Sequence, residues 1–364
     1  MESKRSKHTI TFFYSDNVEK QTAKPIAEEA LRRGYPVRYT DALREKADIG
    51  VYCQHMCFPE NSNLSVIMLH DLGQGHNRWP DIWEGEPWDQ FDVGILPGKN
   101  WVERWLSVSD KVHARPRHGV YELGWPKADS LSNKGMSATK LRESLNLSYA
   151  ISILYAPSWE NHGKQDEFVQ ALKDLPVNLL LKQAPWSDAY GEIQNNIQEM
   201  NVLHQDCKSN VHIIDSDMDI FDCLAISDVI VSDESSVMIE ALLLNMPSVA
   251  VTDWLIPDCN PPRYADAPFD FVNKTILRDL KKTVEQIVSD LESYRKSVSG
   301  MQEKNFSYLG ESASKIMDLI DHHVMNTSIE FTAVVPSNNM QVLSKREQLS
   351  RMSRKLRIDA FVGK

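Results

Sequence analysis

Short apolar runs alternate with helix-patterned stretches along almost the whole chain, which is what parallel sheets wrapped by helices require. The fold class is therefore α/β. In the first half, strands are predicted near Thr9 to Tyr14, Val37 to Thr40, Ile49 to Cys53, Val66 to His70, Val93 to Leu96 and Val120 to Leu123. The clearest helix, Asn17 to Arg33, carries Ala23, Ile26, Ala27, Ala30 and Leu31 on one stripe and stops at Gly34. A polar, turn-rich stretch from Gly124 to Ser148 precedes a second series of strands, at Ile151 to Tyr155, Val177 to Lys182, Val211 to Ile214, Val229 to Ser232 and Ser248 to Thr252. Helical patterns separate these strands at Lys164 to Lys173, Ala189 to His204, Ile220 to Ile226 and Val237 to Leu244, and helices resume at Leu277 to Lys296 and Ser312 to Val324. Two such series predict two Rossmann-like domains, 1–146 and 147–330, with a cleft between them at the carboxyl ends of the strands.

A chain of 364 residues exceeds the roughly 100 to 200 typical of one domain, in keeping with that division. Its net charge of −11 argues against a general nucleic-acid binder, because phosphate contacts need clustered Lys and Arg. The apolar runs are far shorter than the ~20 residues that span a bilayer, and the N-terminus lacks the apolar region and cleavage site of a signal peptide. Five scattered cysteines suit a reducing compartment, so the expected location is cytoplasmic, with peripheral contact at the inner face of the cell membrane as an option. Cys53, His55 and Cys57 read as end-of-strand residues and not as a metal cluster. The option of membrane contact comes from the end of the chain. Lys345 to Lys364 holds seven basic and two acidic residues, a charge of +5 that leaves −16 for the rest. With Leu349, Met352, Leu356 and Phe361 spaced along it, the tail 331–364 is either a basic amphipathic segment on an anionic lipid surface or a solvated one.

Chemistry concentrates at two places. The first is Val229-Ile230-Val231-Ser232-Asp233-Glu234-Ser235-Ser236, a strand delivering two serines to a helix start, where hydroxyls, backbone N–H groups and the dipole favour a phosphate. Plain N-capping would explain Ser235 or Ser236 but not Glu240, which is off the capping-box spacing and could meet ribose hydroxyls. The second is Val66 to His76. His70 at the end of a strand suits a general base, Asp71 either orients it or caps the next turn, and Gly73 punctuates the loop. His76 either contacts donor phosphate or satisfies loop carbonyls. Ser158, after the first strand of the second half, could approach donor phosphates, and Lys182 could neutralise pyrophosphate charge as the leaving group departs. Gly124 to Asp129 reads best as a rigid turn, and the tryptophans at 79, 83, 88, 101 and 105 read mostly as packing surface.

Taken in order, these parts resemble the CDP-glycerol glycerophosphotransferase family, the teichoic-acid primases and polymerases of GT-B fold. The likeness runs from about His70 to Trp254 and includes Phe91 to Gly98, Gly124 to Asp129, Tyr155 to Trp159, Lys182 to Pro185 and Ser232 to Ser236. The resemblance implies a GT-B-like fold and transfer of a polyol phosphate, glycerol or ribitol phosphate, from a CDP-linked donor to a hydroxyl on a polyol or lipid-linked glycan acceptor. It also implies that His70 acts as base, that Ser235 and Ser236 bind the donor pyrophosphate, that CMP leaves, and that neither metal nor cofactor is needed. The chain departs from the family pattern at Ala184, where a histidine is usual, at Glu160 in place of arginine, and at Glu234 in place of tyrosine. Two rivals accompany this reading. One is a GT-B sugar transferase or nucleotide-sugar 2-epimerase, in which the serines and Glu240 keep their roles; the other is a non-catalytic degenerate copy.

Overall fold

The computed structural model describes residues 2–72, 83, 88–133, 135–161, 163–186, 190–207, 210–255, 270–338, 340–341, 344–345, 348–349 and 352. The described residues form two six-stranded sheets in which every pairing is parallel. The first contains β1 (Ile10–Phe13), β2 (Val37–Thr40), β3 (Ala47–Tyr52), β4 (Ser62–Ile67), β5 (Val93–Leu96) and β6 (Val120–Glu122), in the order β2-β1-β3-β4-β5-β6. The second contains β7 (Ser152–Tyr155), β8 (Asn178–Lys182), β9 (Val211–Ile214), β10 (Val229–Ser232), β11 (Ser248–Val251) and β12 (Asn273–Thr275), in the order β12-β11-β10-β7-β8-β9. Central strands such as β1, β5, β7 and β10 are buried at every position, the mark of a parallel sheet covered on both faces.

In each sheet the chain lays strands to one side and then restarts on the other. This reversal falls between β1 and β3 in the first sheet and between β7 and β10 in the second. At such a switch point the loops leaving neighbouring strands diverge and open a crevice beyond their carboxyl ends, the usual ligand position in open α/β sheets.

The helix Asn17–Arg32 follows β1. Asp16 caps it, accepting from the Glu19 N–H at 2.9 Å, and Gly34 turns the chain out of it at φ 90°. Its buried face holds Glu19, Thr22, Ala23, Pro25, Ile26, Ala27 and Ala30, whereas Leu31, expected on the stripe, is 59% exposed. The predicted helix Leu277 to Lys296 breaks at Asp290 into Leu280–Ser289 and Leu291–Asn305, and two further helices, Lys99–Leu106 and Gly135–Leu145, join the expected set. None of the helices among the described residues is long and apolar enough to cross a membrane.

The chain divides into two compact units, one of 1–71, 78–130 and 303–364, the other of 72–77 and 131–302. The break therefore falls before the expected 146, and 303–330, expected with the second domain, belongs to the first unit. The cause is the helix Ser312–Met325, which places Ala313, Ile316, Met317, Leu319 and Ile320 in the first core beside Ile10, Ile26, Ala30 and Ile49. Asp129 accepts from the Ala313 and Ser312 N–H groups at 2.7 and 3.3 Å, holding the start of this helix. Gly124, at φ 89°, leaves no room for a side chain, since a Cβ would lie 2.2 Å from the Ser307 carbonyl oxygen. The Gly124 to Asp129 turn is thus an anchor, as its composition suggested.

The start of the expected tail is also pinned to the first unit. Phe331 and Ala333 pack on its core, and the Val334 and Ser337 N–H groups donate to Val120 O and Ser109 Oγ. Arg351, Arg354, Lys355, Arg357 and the rest of the basic end, apart from Lys345, lie outside the described residues.

Candidate functional site

At the switch point of the first sheet, three loops leave β1, β3 and β4 with their last residues in register, Phe13 beside Tyr52 and Tyr52 beside Ile67. His70 lies just past β4, partly buried, and its ring is held by the loop after β3: Nδ1 is 2.5 Å from the Cys53 carbonyl oxygen. A carbonyl oxygen only accepts, so Nδ1 carries the proton of the neutral ring and Nε2 presents its lone pair. That tautomer is the one a general base needs.

The N-cap and first turn of the helix after β1 supply two carboxylates. One ring nitrogen of His70 and one oxygen each of Asp16 and Glu19 lie within 4.8 Å of one another. Glu19 is 3% exposed, and its oxygens accept from the Ser15 N–H at 2.6 Å and the Ser15 hydroxyl at 2.9 Å. Burial is the largest influence on the Glu19 carboxyl and lifts its pKa; the His70 charge and the two Ser15 bonds oppose that rise, while Asp16 adds to it. The Cys53 thiol is pushed well up by burial and by the same two acids, so it stays neutral.

At the switch point of the second sheet the loops after β7 and β10 are stitched together. Asp233, fully buried, accepts from the Ser158 N–H at 2.9 Å and the Glu234 N–H at 2.7 Å through one oxygen, and from the Lys164 ammonium at 2.8 Å through the other. Ser232 Oγ donates to Ala156 O at 2.6 Å. Above this clamp stand the serines. Ser236 is the residue before the helix Val237–Ala241 and makes no side-chain cap bond, and Ser235 Oγ accepts from the Val237 N–H at a long 3.4 Å. Ser158 Oγ is buried with no hydrogen-bond partner among the described residues. Capping therefore does not account for Ser236, and the loop offers hydroxyls with unused capacity.

Two sequence expectations need correction. Lys182 is 5% exposed and its ammonium donates to the carbonyls of Gln183 and Ser216 at 3.0 and 2.5 Å, tying β8 to the loop after β9 instead of standing ready for a phosphate. Glu240 is 4% exposed and already engaged, so it is not the free carboxylate its spacing suggested. The His70 ring is held by the Cys53 carbonyl. Gly73 and His76 lie outside the described residues.

The departures from the family pattern find local partners. Glu160 is fully buried and accepts from the Tyr155 hydroxyl at 2.7 Å and the Gln183 amide at 2.8 Å. Burial is again the main cause of its raised pKa, with the donated bonds from Tyr155 and Gln183 acting against it. Ala184 lines a groove of about 440 Å³ in the same unit with Trp186, Ile213 and Ser216. Sequence reasoning missed Glu19, Asp16, Asp233 and Lys164. The first two were visible as the spacing Asp16-x-x-Glu19 directly after a strand, a helix-start signature whose acid reads by default as a cap.

A family profile described as CDP-glycerol:poly(glycerophosphate) glycerophosphotransferase matches residues 107–322. Comparison with curated proteins gave no match. Among solved structures, the wall teichoic acid polymerase TagF is similar at TM-score 0.63 and 18% identity, over 90% of this chain and 91% of that one. Staphylococcus aureus MnaA with UDP is similar at TM-score 0.59 and 12% identity, over 90% and 100% of the two chains. A Listeria monocytogenes protein assigned as a UDP-N-acetylglucosamine 2-epimerase gives 0.58 and 13%, over 90% and 99%. At these identities the structural likeness carries the fold, which is α/β and GT-B-like.

Proposed function

This chain belongs to the CDP-glycerol:poly(glycerophosphate) glycerophosphotransferase family, and from that membership we propose that it moves a polyol phosphate from a CDP-activated donor to a hydroxyl acceptor in cell-envelope polymer synthesis. The polyol phosphate is glycerol or ribitol phosphate, and the acceptor is a polyol or a lipid-linked glycan. The first unit works on the acceptor. His70 Nε2 takes the proton of the acceptor hydroxyl, whose oxygen attacks the polyol-side phosphorus of the donor; the bond to CMP breaks and CMP leaves with its electron pair. The second unit holds the donor, with Ser158, Ser235, Ser236 and the backbone N–H groups around them bonding phosphate oxygens. In this reading charge is handled by hydrogen-bond donors and no cofactor is needed. The reaction belongs in the cytoplasm, where the basic end of the chain gives a contact to an anionic inner membrane face.

The observation that carries the proposal is the His70 ring, fixed by the Cys53 carbonyl in the tautomer that leaves Nε2 basic. The test is CMP release from CDP-glycerol and from CDP-ribitol in the presence of a polyol-phosphate-primed acceptor. The parent protein is expected to release CMP from one of them, and His70→Ala to be about 10²- to 10⁴-fold slower. Absence of CMP from both donors, with nucleotide released from a UDP-sugar instead, would move the assignment to sugar chemistry on the same fold.

A further inference from the structure

Beyond the base itself, the first unit brings a second group to the same point. We propose that Glu19 is a positioning residue for His70, a buried carboxylate whose negative charge stabilises the imidazolium formed when the ring takes a proton from the acceptor hydroxyl.

Three observations support it. The carboxylate and the ring meet at the switch point of the sheet, the usual ligand position in open α/β sheets, although one comes from the first turn of the helix after β1 and the other from the loop after β4, at positions 19 and 70. Glu19 is held by two bonds from Ser15 and cannot swing out to water. Its charge is therefore pre-placed, which is the condition for an electrostatic contribution that needs no rearrangement during reaction. Finally, the spacing within 4.8 Å suits a through-space effect, and the imidazolium charge is shared by both ring nitrogens, so a carboxylate near either one stabilises it.

Asp16, the other acid beside the ring, is exposed and acts through solvent. Of the two, Glu19 is the buried one. Its carboxyl is lifted by burial, and the ring charge acts to bring it back down. In the reaction the hydroxyl O–H bond breaks, an N–H bond forms on Nε2, and the Nδ1–H bond to Cys53 stays in place; Glu19 exchanges no proton.

The proposal rests on the reaction given above for its role, but its test does not need turnover. The His70 ring is followed by NMR titration in the free, full-length protein, assigned with His70→Gln, in the parent and in E19Q, D16N and S15A. E19Q keeps the shape and loses the charge, and the ring is expected to titrate about one pH unit lower than in the parent. D16N should move it less, and S15A, which keeps the charge, less again. Thermal melts of all three confirm folding, and E19D serves in place of E19Q should the amide fail to fold, with a shift intermediate in size. In the CMP-release assay the acid limb of the rate profile of E19Q should move to lower pH by the same amount, with KM for the donor unchanged. A His70 titration that is the same in the parent and E19Q overturns the pairing whatever the activity. A parent protein that releases no CMP while the E19Q shift is present overturns the reaction and leaves the pairing standing.

Discussion

Asp233 ties together the loops after β7 and β10. It is fully buried, it neutralises a Lys164 ammonium that is 4% exposed at the side chain, and it fixes the Ser158 N–H. Removing one partner of a buried pair leaves an uncompensated charge, so Asp233→Asn should lower the free energy of unfolding by about 3 kcal/mol in urea titration. Adding Lys164→Met removes the stranded charge. The double variant should be more stable than Asp233→Asn alone, and additive losses in the double-mutant cycle would show that the two side chains do not work as a pair. At this scale the candidate groups are easier to read from the sequence than the residues that hold them. Ser235, Ser236 and His70 stand out because hydroxyls and an imidazole at strand ends have few purely structural uses. Asp233 and Glu19 do not, because an acid beside a turn or helix start is explained by capping until its burial is known. Lys182 and Glu240 illustrate the converse. Their spacing fitted a ligand, but whether a long side chain turns out to a donor or in to carbonyls depends on neighbours from β9 and beyond that no local pattern encodes.

At the scale of elements, the helix Ser312–Met325 holds a pH-sensitive contact. His323 lies 5.1 Å from the His118 ring and 5.3 Å from the His322 ring, with Nε2 buried and without a hydrogen-bond partner among the described residues. Burial first, then the charges of His118 and His322, lower its pKa below the ordinary 6.5, against an upward pull from Asp92. A histidine with a lowered folded-state pKa is neutral in the fold when the unfolded chain already binds a proton, so stability is complete above 6.5 and falls as pH drops through the window below it. The ring is half-buried and solvent screens it, which keeps the effect small. His323→Gln should therefore flatten the decline of Tm between neutral pH and about pH 5; an unchanged slope would place the acid sensitivity elsewhere. Elements of this kind were legible where their period was complete. β5 and β10 fall where the apolar runs put them, since a central parallel strand is buried at every position, and β2 and β9 match as well although they lie at sheet edges. β12 was missed because Asn273-Lys274-Thr275 has no apolar run at all; it is an edge strand held by pairing with β11. The helix Gly135–Leu145 was read as turn because its stretch is polar and carries Gly135 at the start.

On the scale of the whole molecule, the two units differ in how the chain completes them. The core of the second unit is built from Ile153, Phe168, Leu179, Val229, Val249, Leu280 and Ile287, all within one continuous stretch. The first unit is discontinuous, and its core draws on Ile316, Met317, Leu319 and Ile320 from far along the sequence. Charge ties that returning helix in as well: Asp321, 5% exposed at its side chain, meets Arg5 at 2.5 Å and Arg33 at 2.9 Å and accepts from the Tyr35 hydroxyl. The sequence could not announce this return, because an amphipathic helix records that it has an apolar face and not which sheet that face will cover. A consequence follows for fragments. Residues 131–302 expressed alone should unfold in a single cooperative thermal transition by circular dichroism, whereas residues 1–130 should not, since they lack one face of their core and the partners of Arg33 and Tyr35. Supplying 303–341 through a flexible linker after residue 130 should restore the cooperative transition, and Asp321→Ala in that linked chain should lower its midpoint, because Arg5 and Tyr35 lose their shared acceptor while Arg33 keeps Glu29 and Asp318. If 1–130 melted cooperatively unaided, the helix Ser312–Met325 would be a covering on a finished core and not a part of it.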